Sequence, residues 1–295
     1  MADAAKTPVK DVEVLLTRIR GAFPGLTWQN YRYNDDGWDH EVVILDERIV
    51  FRFPNDDDYR GQLKREIEIL RKLSSAVSAR IPDYAYIAPD VSFAGYNMIP
   101  GEVLTVQKFK MYPEETQAEI IRQLAEFLTQ IHRTDHPFMN RLENSMHEYH
   151  AELKQQAEQF LKSKLSDQDY RYVQEIIEDT DELLKRNLPA TYIHGDLYHN
   201  HLLWDEQARK LGVIDFSDME LGDPAKDVSE LYEYGKEFAR AVYEQYRGPK
   251  DNTFLQRAWT YQRWIGVFMM VDHFINDKMP FEDSREIFDR TKTER

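Results

Sequence analysis

The chain changes texture at Pro100-Gly101, and that change limits its possible folds more than any other feature. Upstream, short apolar runs alternate with turn residues: "EVVIL" (41–45) and "RIVFRF" (48–53), joined by Asp46-Glu47, a connection of hairpin length, then "YAYI" (84–87) and "DVSFAGYNMI" (90–99). Between them, Leu63, Ile67, Leu70 and Leu73 share one face of a predicted helix over 59–73. Another helix is predicted over 9–22, where Val12, Leu15, Leu16 and Ile19 recur at helical spacing before Gly21 and Pro24. Downstream the period turns helical, most clearly over 114–133 with its stripe of Ile120, Ile121, Leu124, Phe127, Leu128 and Ile131, then over 142–162, 167–187, 224–246, 252–276 and 281–292. Short β-like runs interrupt these helices in "YIHGDLYHNHLLWD" (192–205) and "KLGVIDF" (210–216). The expectation is an α+β, bilobal chain: a β-rich N-terminal lobe over 1–99, a mainly helical C-terminal lobe over 100–295, and a hinge near 96–101.

Composition narrows the function classes. With 42% hydrophobic and 31% charged residues over 295 positions, the chain has enough apolar content for a substantial core. No Cys is present, which removes disulfides, zinc-thiolate sites and Cys nucleophiles. The apolar run "WIGVFMMV" (264–271) is too short to span a bilayer, and "MADAAKTPVKDVEVLL" lacks a signal-peptide core, so a cytoplasmic protein is expected. A net charge of −15 repels nucleic acid and anionic membrane and favours a cationic partner; on charge alone, plain solubility is the better explanation.

Asp196 and Asp215 follow or end two β-like runs, nineteen positions apart. A carboxylate at the end of a buried strand is costly unless paired or metal-bound. Two such acids on neighbouring strands can divide phosphoryl transfer, one orienting the attacking hydroxyl and the other holding magnesium against nucleotide phosphates. Taken singly, Asp196 could instead cap a turn and Asp215 end a strand. His201 alone reads as a packed or surface residue; a neutral imidazole can also ligate a divalent ion, although magnesium prefers oxygen. The set His194, His199 and His201 raises a metallohydrolase alternative, but its spacing suits neither helix nor strand chelation.

In order and spacing, "HGDLYHNHLLWD…GVIDF" resembles the catalytic and metal loops of antibiotic kinases, the aminoglycoside and macrolide phosphotransferases of protein-kinase-like fold. The resemblance implies that Asp196 is the catalytic aspartate and Asp215 the magnesium-binding one. His201 stands where most of that family carries Asn as second metal ligand, a replacement typical of the aminoglycoside 2''-type and also seen in macrolide kinases. In "IVFRFP" the usual strand lysine is replaced by Arg52, whose fork can also grip phosphates and pair with a helix glutamate. Glu66 is the expected partner, with Glu68 second because it lies about 100° further round the helix from the buried Ile67. A merely snorkelling strand residue is the weaker alternative for Arg52. "NDDGWDHEVVIL" offers Gly37 but no full glycine-rich phosphate loop, and Asn97–Ile99 are expected to meet the nucleotide base through their backbone.

The acceptor is read from charge. Past the second aspartate come Asp218, Glu220, Asp223, Asp227, Glu230, Glu233 and Glu237, of which Glu230, Glu233 and Glu237 fall at i, i+3, i+7 of the predicted helix. Such a face suits ammonium groups, and Asp218, Glu230, Glu233 and Glu237 are the expected acceptor contacts; a solvated face is the plain alternative. The expected activity is transfer of the γ-phosphate of ATP or GTP, with Mg2+, to a hydroxyl of an aminoglycoside of the 2''-type, conferring antibiotic resistance. A macrolide 2'-phosphotransferase is the close alternative; other small-molecule kinases of the fold and a catalytically silent binding module stand further off. The partners expected are a nucleoside triphosphate and a cationic antibiotic, with the chain acting as a monomer.

Overall fold

A computed structural model describes residues 12–34, 39–134, 146–277 and 279–293. Gly37, the start of the helix predicted from residue 9, and 142–145 of the helix predicted from 142 lie outside the described residues. The chain divides into two compact units, one running to Ser74 and resuming over Ile81–Ile99, the other taking Ser75–Arg80 and everything from Pro100.

The first unit is an antiparallel sheet of β1 (Tyr31–Asn34), β2 (His40–Leu45), β3 (Ile49–Pro54), β4 (Tyr86–Ile87) and β5 (Ala94–Asn97), in the order β1-β2-β3-β5-β4. Between β2 and β3, Asp46 and Glu47 both adopt left-handed φ (48° and 51°), as a primed hairpin turn requires. The Asp46 carboxylate steadies that turn by accepting from the amides of Gln29 and Asn30. β3 is buried along almost its whole length. Its odd residues Ile49, Phe51 and Phe53 join Leu15, Leu16 and Ile19 of α1 (Val12–Ala22) in one core, while the period of two turns Val50 and Arg52 to the other face. Helix α2 (Asp57–Leu73) starts at Asp56, whose side chain accepts from Asp58 and Tyr59 amides, and it buries Glu66 together with Leu63, Ile67 and Leu70.

The second unit carries a three-stranded sheet in the order β6-β8-β9, formed by β6 (Glu102–Val103), β8 (Leu202–Asp205) and β9 (Lys210–Val213), and the ribbon of β7 (Thr191–Ile193) with β10 (Glu220–Gly222). Its helices are α3 (Val106–Met111), α4 (Glu114–His132), α5 (Met146–Phe160), α6 (Asp167–Leu184), α7 (Ala225–Ser229), α8 (Lys236–Gln245), α9 (Phe254–Asn276) and α10 (Phe281–Thr293). α9 buries residues all round its circumference, from Phe254 and Ala258 to Val267 and Val271, which fits a central helix packed by α5, α6, α7 and α10. No helix among the described residues is long and apolar enough to cross a membrane.

The helix expected over 224–246 is instead three pieces: α7, a 3-10 turn over Glu230–Tyr234, and α8, broken at Gly235 with φ 108°. Glu230, Glu233 and Glu237 therefore do not share one continuous helical face. The short elements β1, β6, β10 and α3 leave no clear periodicity in the sequence.

Candidate active site

The loop after β7 is held from below by one buried acid. Asp227, on α7, is fully enclosed and accepts from the His194 amide through Oδ2 and from the Gly195 amide through Oδ1, each at 2.9 Å. The same carboxylate meets His132 Nε2 of α4 at 2.9 Å, and His132 Nδ1 lies 2.8 Å from the Tyr246 hydroxyl. Burial pushes the Asp227 carboxyl up, but the hydrogen bond and charge of His132 and the Gly195 amide outweigh it and hold the group below the usual carboxylate range.

His194 is also fully buried. Its Nε2–H donates to the Ile214 carbonyl at 3.1 Å, and its Nδ1 accepts from the Asp196 amide at 3.4 Å. Burial lowers its pKa to about 4, so the ring is neutral at physiological pH and ties the first acidic loop to the second as an uncharged bracket. Gly195 has φ +88°, and a Cβ there would stand 2.3 Å from the Asp218 carbonyl oxygen; only glycine fits. The triplet His194-Gly195-Asp196 is thus a bracket, a close crossing and a presented carboxylate.

His201 closes a single 3-10 turn ahead of β8. Its Nδ1–H donates to the Asp196 carbonyl at 2.8 Å and also lies 3.3 Å from Asp196 Oδ2. That leaves Nε2 with its lone pair 3.6 Å from Asp215 Oδ2. Asp215 follows β9 with φ 63°, a left-handed conformation uncommon for aspartate and of the kind concentrated at functional sites. Two acceptors facing each other at that distance favour a shared cation. The donor set, one carboxylate and one imidazole, fits a magnesium ion that completes its shell with water and phosphate oxygens. Among the described residues no three His, Cys, Asp or Glu side chains form a ready metal cage, so His194, His199 and His201 do not converge as a metallohydrolase site would need.

More carboxylate surrounds this point. The close packing around Asp218 and then the charges of Asp196 and Asp215 push its carboxyl up to about 6, although the residue reaches solvent. Glu230 is half-buried with its Oε2 enclosed and, among the described residues, lacking a hydrogen-bond partner; burial and then Asp196 push its carboxyl well above the usual range. The remaining acids of the 217–240 run divide differently from the expected face. Glu220 pairs with Lys226 at 2.7 Å, and Asp223 with Arg257 at 2.7 Å. Glu233 grips the loop after β7, accepting from the amide and, at 2.7 Å, from Nδ1 of His199, which raises the His199 pKa. Glu237 is exposed at the start of α8.

In the first unit, Arg52 and Glu66 meet as the helix phase suggested. One guanidinium nitrogen reaches both Glu66 oxygens, at 2.9 and 2.8 Å, and both residues are buried. The other nitrogen donates to His40 Nδ1 at 3.2 Å, and the Tyr84 hydroxyl donates to Glu66 at 3.1 Å. Glu68 is exposed. Asn97 ends β5, paired with Ile49, and Ile99 is buried.

Sequence reasoning missed Asp227, His132 and the loop-holding role of Glu233. The available signal was the spacing in "DPAKDVS", where Asp227 falls between positions that α7 buries.

A family model described as "Phosphotransferase enzyme family" (APH) matches residues 30–260. A Bacillus subtilis (strain 168) protein called uncharacterized protein YcbJ is 26% identical over 255 residues, covering 79% of this chain and 81% of its own. The structure of the GDP complex of a wild-type aminoglycoside 2'-phosphotransferase-IIIa superposes with a TM-score of 0.83 at 24% identity, over 95% of this chain and 98% of that one. A macrolide 2'-phosphotransferase type I superposes at 0.67 and 18% identity, over 98% of each chain. These likenesses bear on the fold, which is the kinase-like one the loop motifs led us to expect.

Proposed function

Because the chain belongs to the phosphotransferase enzyme family, we propose that it is an antibiotic kinase moving the γ-phosphate of ATP or GTP onto a hydroxyl of an aminoglycoside of the 2''-type. The observation that carries this reading is the pairing of His201 Nε2 with Asp215 Oδ2 at 3.6 Å, set beside the presented Asp196 carboxylate. Asp196 takes the role of orienting the acceptor hydroxyl and receiving its proton. Asp215 and His201 are the residues that would hold magnesium, which when bound neutralises developing phosphate charge. Arg52, positioned by Glu66, is assigned the α- and β-phosphates, and the backbone at Asn97 and Ile99 the nucleotide base. Asp218, Glu230 and Glu237 are assigned acceptor ammonium groups, with Glu233 acting there only if an ammonium displaces His199.

A second reading, a macrolide 2'-phosphotransferase, is favoured by one observation. Glu220, Asp223, Asp227 and Glu233 are already engaged within the fold, so fewer acids stand ready than a polycation would use. A turnover screen with ATP and GTP against kanamycin-like, gentamicin-like and macrolide acceptors decides between the two. Turnover with the macrolide alone reverses the order of the readings, and no turnover with any acceptor and either nucleotide sinks both.

A further inference from the structure

Tyr198 stands between Asp196 and His201 in sequence, and its ring packs on the His201 imidazole. His199-Asn200-His201 fold as one 3-10 turn capped by Tyr198, and the His201 amide donates to the Tyr198 carbonyl at 3.0 Å. In such a turn, side chains three positions apart eclipse. The two rings accordingly meet edge to face, with centres 4.5 Å apart and planes at 68°. That spacing is the close end of the range aromatic pairs favour. The half-buried Tyr198 ring also packs edge-on against His199, centres 5.6 Å apart, and His199 is itself held by Glu233.

An imidazole at this position needs such support. The bond from His201 Nδ1–H to the Asp196 carbonyl, at 2.8 Å, decides which nitrogen carries the hydrogen. One hydrogen bond still tolerates a tilted ring, and a tilt carries Nε2, on the far side, away from Asp215 Oδ2, 3.6 Å from it. Nε2 also stands a bond further from the backbone than an asparagine oxygen would, so the same tilt displaces it more. The His194 ring is the more distant neighbour, with centres 6.2 Å apart, which leaves Tyr198 as the close lateral stop. The Tyr198 hydroxyl adds little to this: the Asn200 side-chain amide reaches it only at 3.5 Å, the limit of a hydrogen bond. The ring is the part that bears on His201.

We propose that Tyr198 is a positioning residue for metal binding: its ring holds the His201 imidazole so that Nε2 stays aimed at the ion shared with Asp215. The inference rests on the magnesium assignment of the phosphotransferase reading. Tyr198 is then the companion of a histidine ligand, needed beside His201 and idle beside an asparagine in its place.

The test follows Mn2+ binding to the whole chain with ADP or GDP and no acceptor, read from the relaxation of water protons, so that no turnover enters. Tyr198→Ala is expected to weaken Mn2+ binding about tenfold, the lower end of the loss that follows removal of an outer-shell partner. Tyr198→Phe keeps the ring and is expected to match the parent. Combined with His201→Asn, Tyr198→Ala is expected to cost nothing further, because no imidazole is left for the ring to hold. Thermal unfolding checks each variant, and Tyr198→Leu, apolar bulk without a flat ring, replaces the Ala variant if that chain does not fold. An equal loss in both backgrounds makes Tyr198 an ordinary structural member of the loop and overturns the proposal. A Tyr198→Ala midpoint equal to the parent's overturns it too, as does a loss in Tyr198→Phe as large as in Tyr198→Ala. Those results leave the kinase reading standing. A parent that binds no Mn2+ with either nucleotide removes the metal site assigned to His201 and Asp215, and this inference with it.

Discussion

Arg52 with Glu66 and the carboxylates around Asp196 are both ionic constellations, and they are in opposite states. The first is closed: guanidinium, carboxylate, Tyr84 hydroxyl and His40 Nδ1 bond one another inside the first unit, all four side chains buried. The second is open. Burial and then the charges of Asp196 and Asp215 raise the proton affinity of Asp218, burial and then Asp196 raise that of Glu230, His201 has given one nitrogen to a carbonyl, and nearby Lys226 is taken by Glu220. A network balanced within itself holds a fold together; one carrying surplus charge of a single sign is completed by a ligand. Variants that remove one member should therefore cost stability in the first constellation and activity in the second.

The largest effect is expected at Asp196. Replacing it by Ala removes the group that orients the acceptor hydroxyl, and a general base contributes about 10²–10⁴-fold to rate. kcat should fall by that order while the melting temperature holds or rises slightly, since one of several repelling carboxylates is gone. Steady-state kinetics beside thermal unfolding measures both; turnover within tenfold of the parent removes Asp196 from the reaction.

Closed networks should behave in the reverse sense. Arg52→Ala leaves Glu66 buried without its cation, and Asp227→Ala leaves two loop amides and His132 without their acceptor; breaking a buried pair this way costs about 3–5 kcal/mol. Denaturant unfolding reads that loss. Asp227 adds a pH signature. Its pKa is depressed in the folded state, so its contribution is present above the unfolded value of about 4 and disappears as pH falls through the lower folded one. Asp227→Asn should flatten the acid limb of the stability profile; an unchanged limb means that the clamp is not what titrates there.

Legibility followed the same division. Arg52 and Glu66 could be paired from sequence because strand period and helix phase each turn a charged residue inward, and inward charges must meet. Asp196, His201 and Asp215 were legible through their order and spacing. Asp227 was hidden because it sits in a run of seven acids, and composition cannot tell a clamp from a solvated charge. Gly235 was hidden for another reason: apolar spacing continues through it at helical period, and only the backbone's positive φ there separates the 3-10 turn from α8. β6 and β10 are two and three residues long, too short for alternation to register.

His201 should show an effect between these extremes. Asn can offer an oxygen in place of Nε2, so His201→Asn is expected to keep substantial activity. His201→Ala should raise the magnesium concentration needed for half-maximal turnover by at least about tenfold, the lower end of what losing even an outer-shell partner costs. Equal midpoints for parent and Ala variant exclude the contact.

The smallest effects test how the acids past Asp215 are divided, and they sharpen the comparison most. Glu230 has an enclosed, unpartnered Oε2 beside Asp196, so Glu230→Gln should raise acceptor KM about ten- to a hundredfold, the worth of a charge-assisted hydrogen bond, with nucleotide KM unchanged. Glu233 is bound to His199, so Glu233→Gln should act on kcat through a loosened loop and move acceptor KM little. Glu237 is exposed on a separate helix, where a charge is well screened, and Glu237→Gln should change acceptor KM less than about twofold, an effect that added salt erases. Equal increases in acceptor KM for all three variants would restore the single acidic face expected from the sequence, and the break at Gly235 would then be irrelevant to acceptor binding.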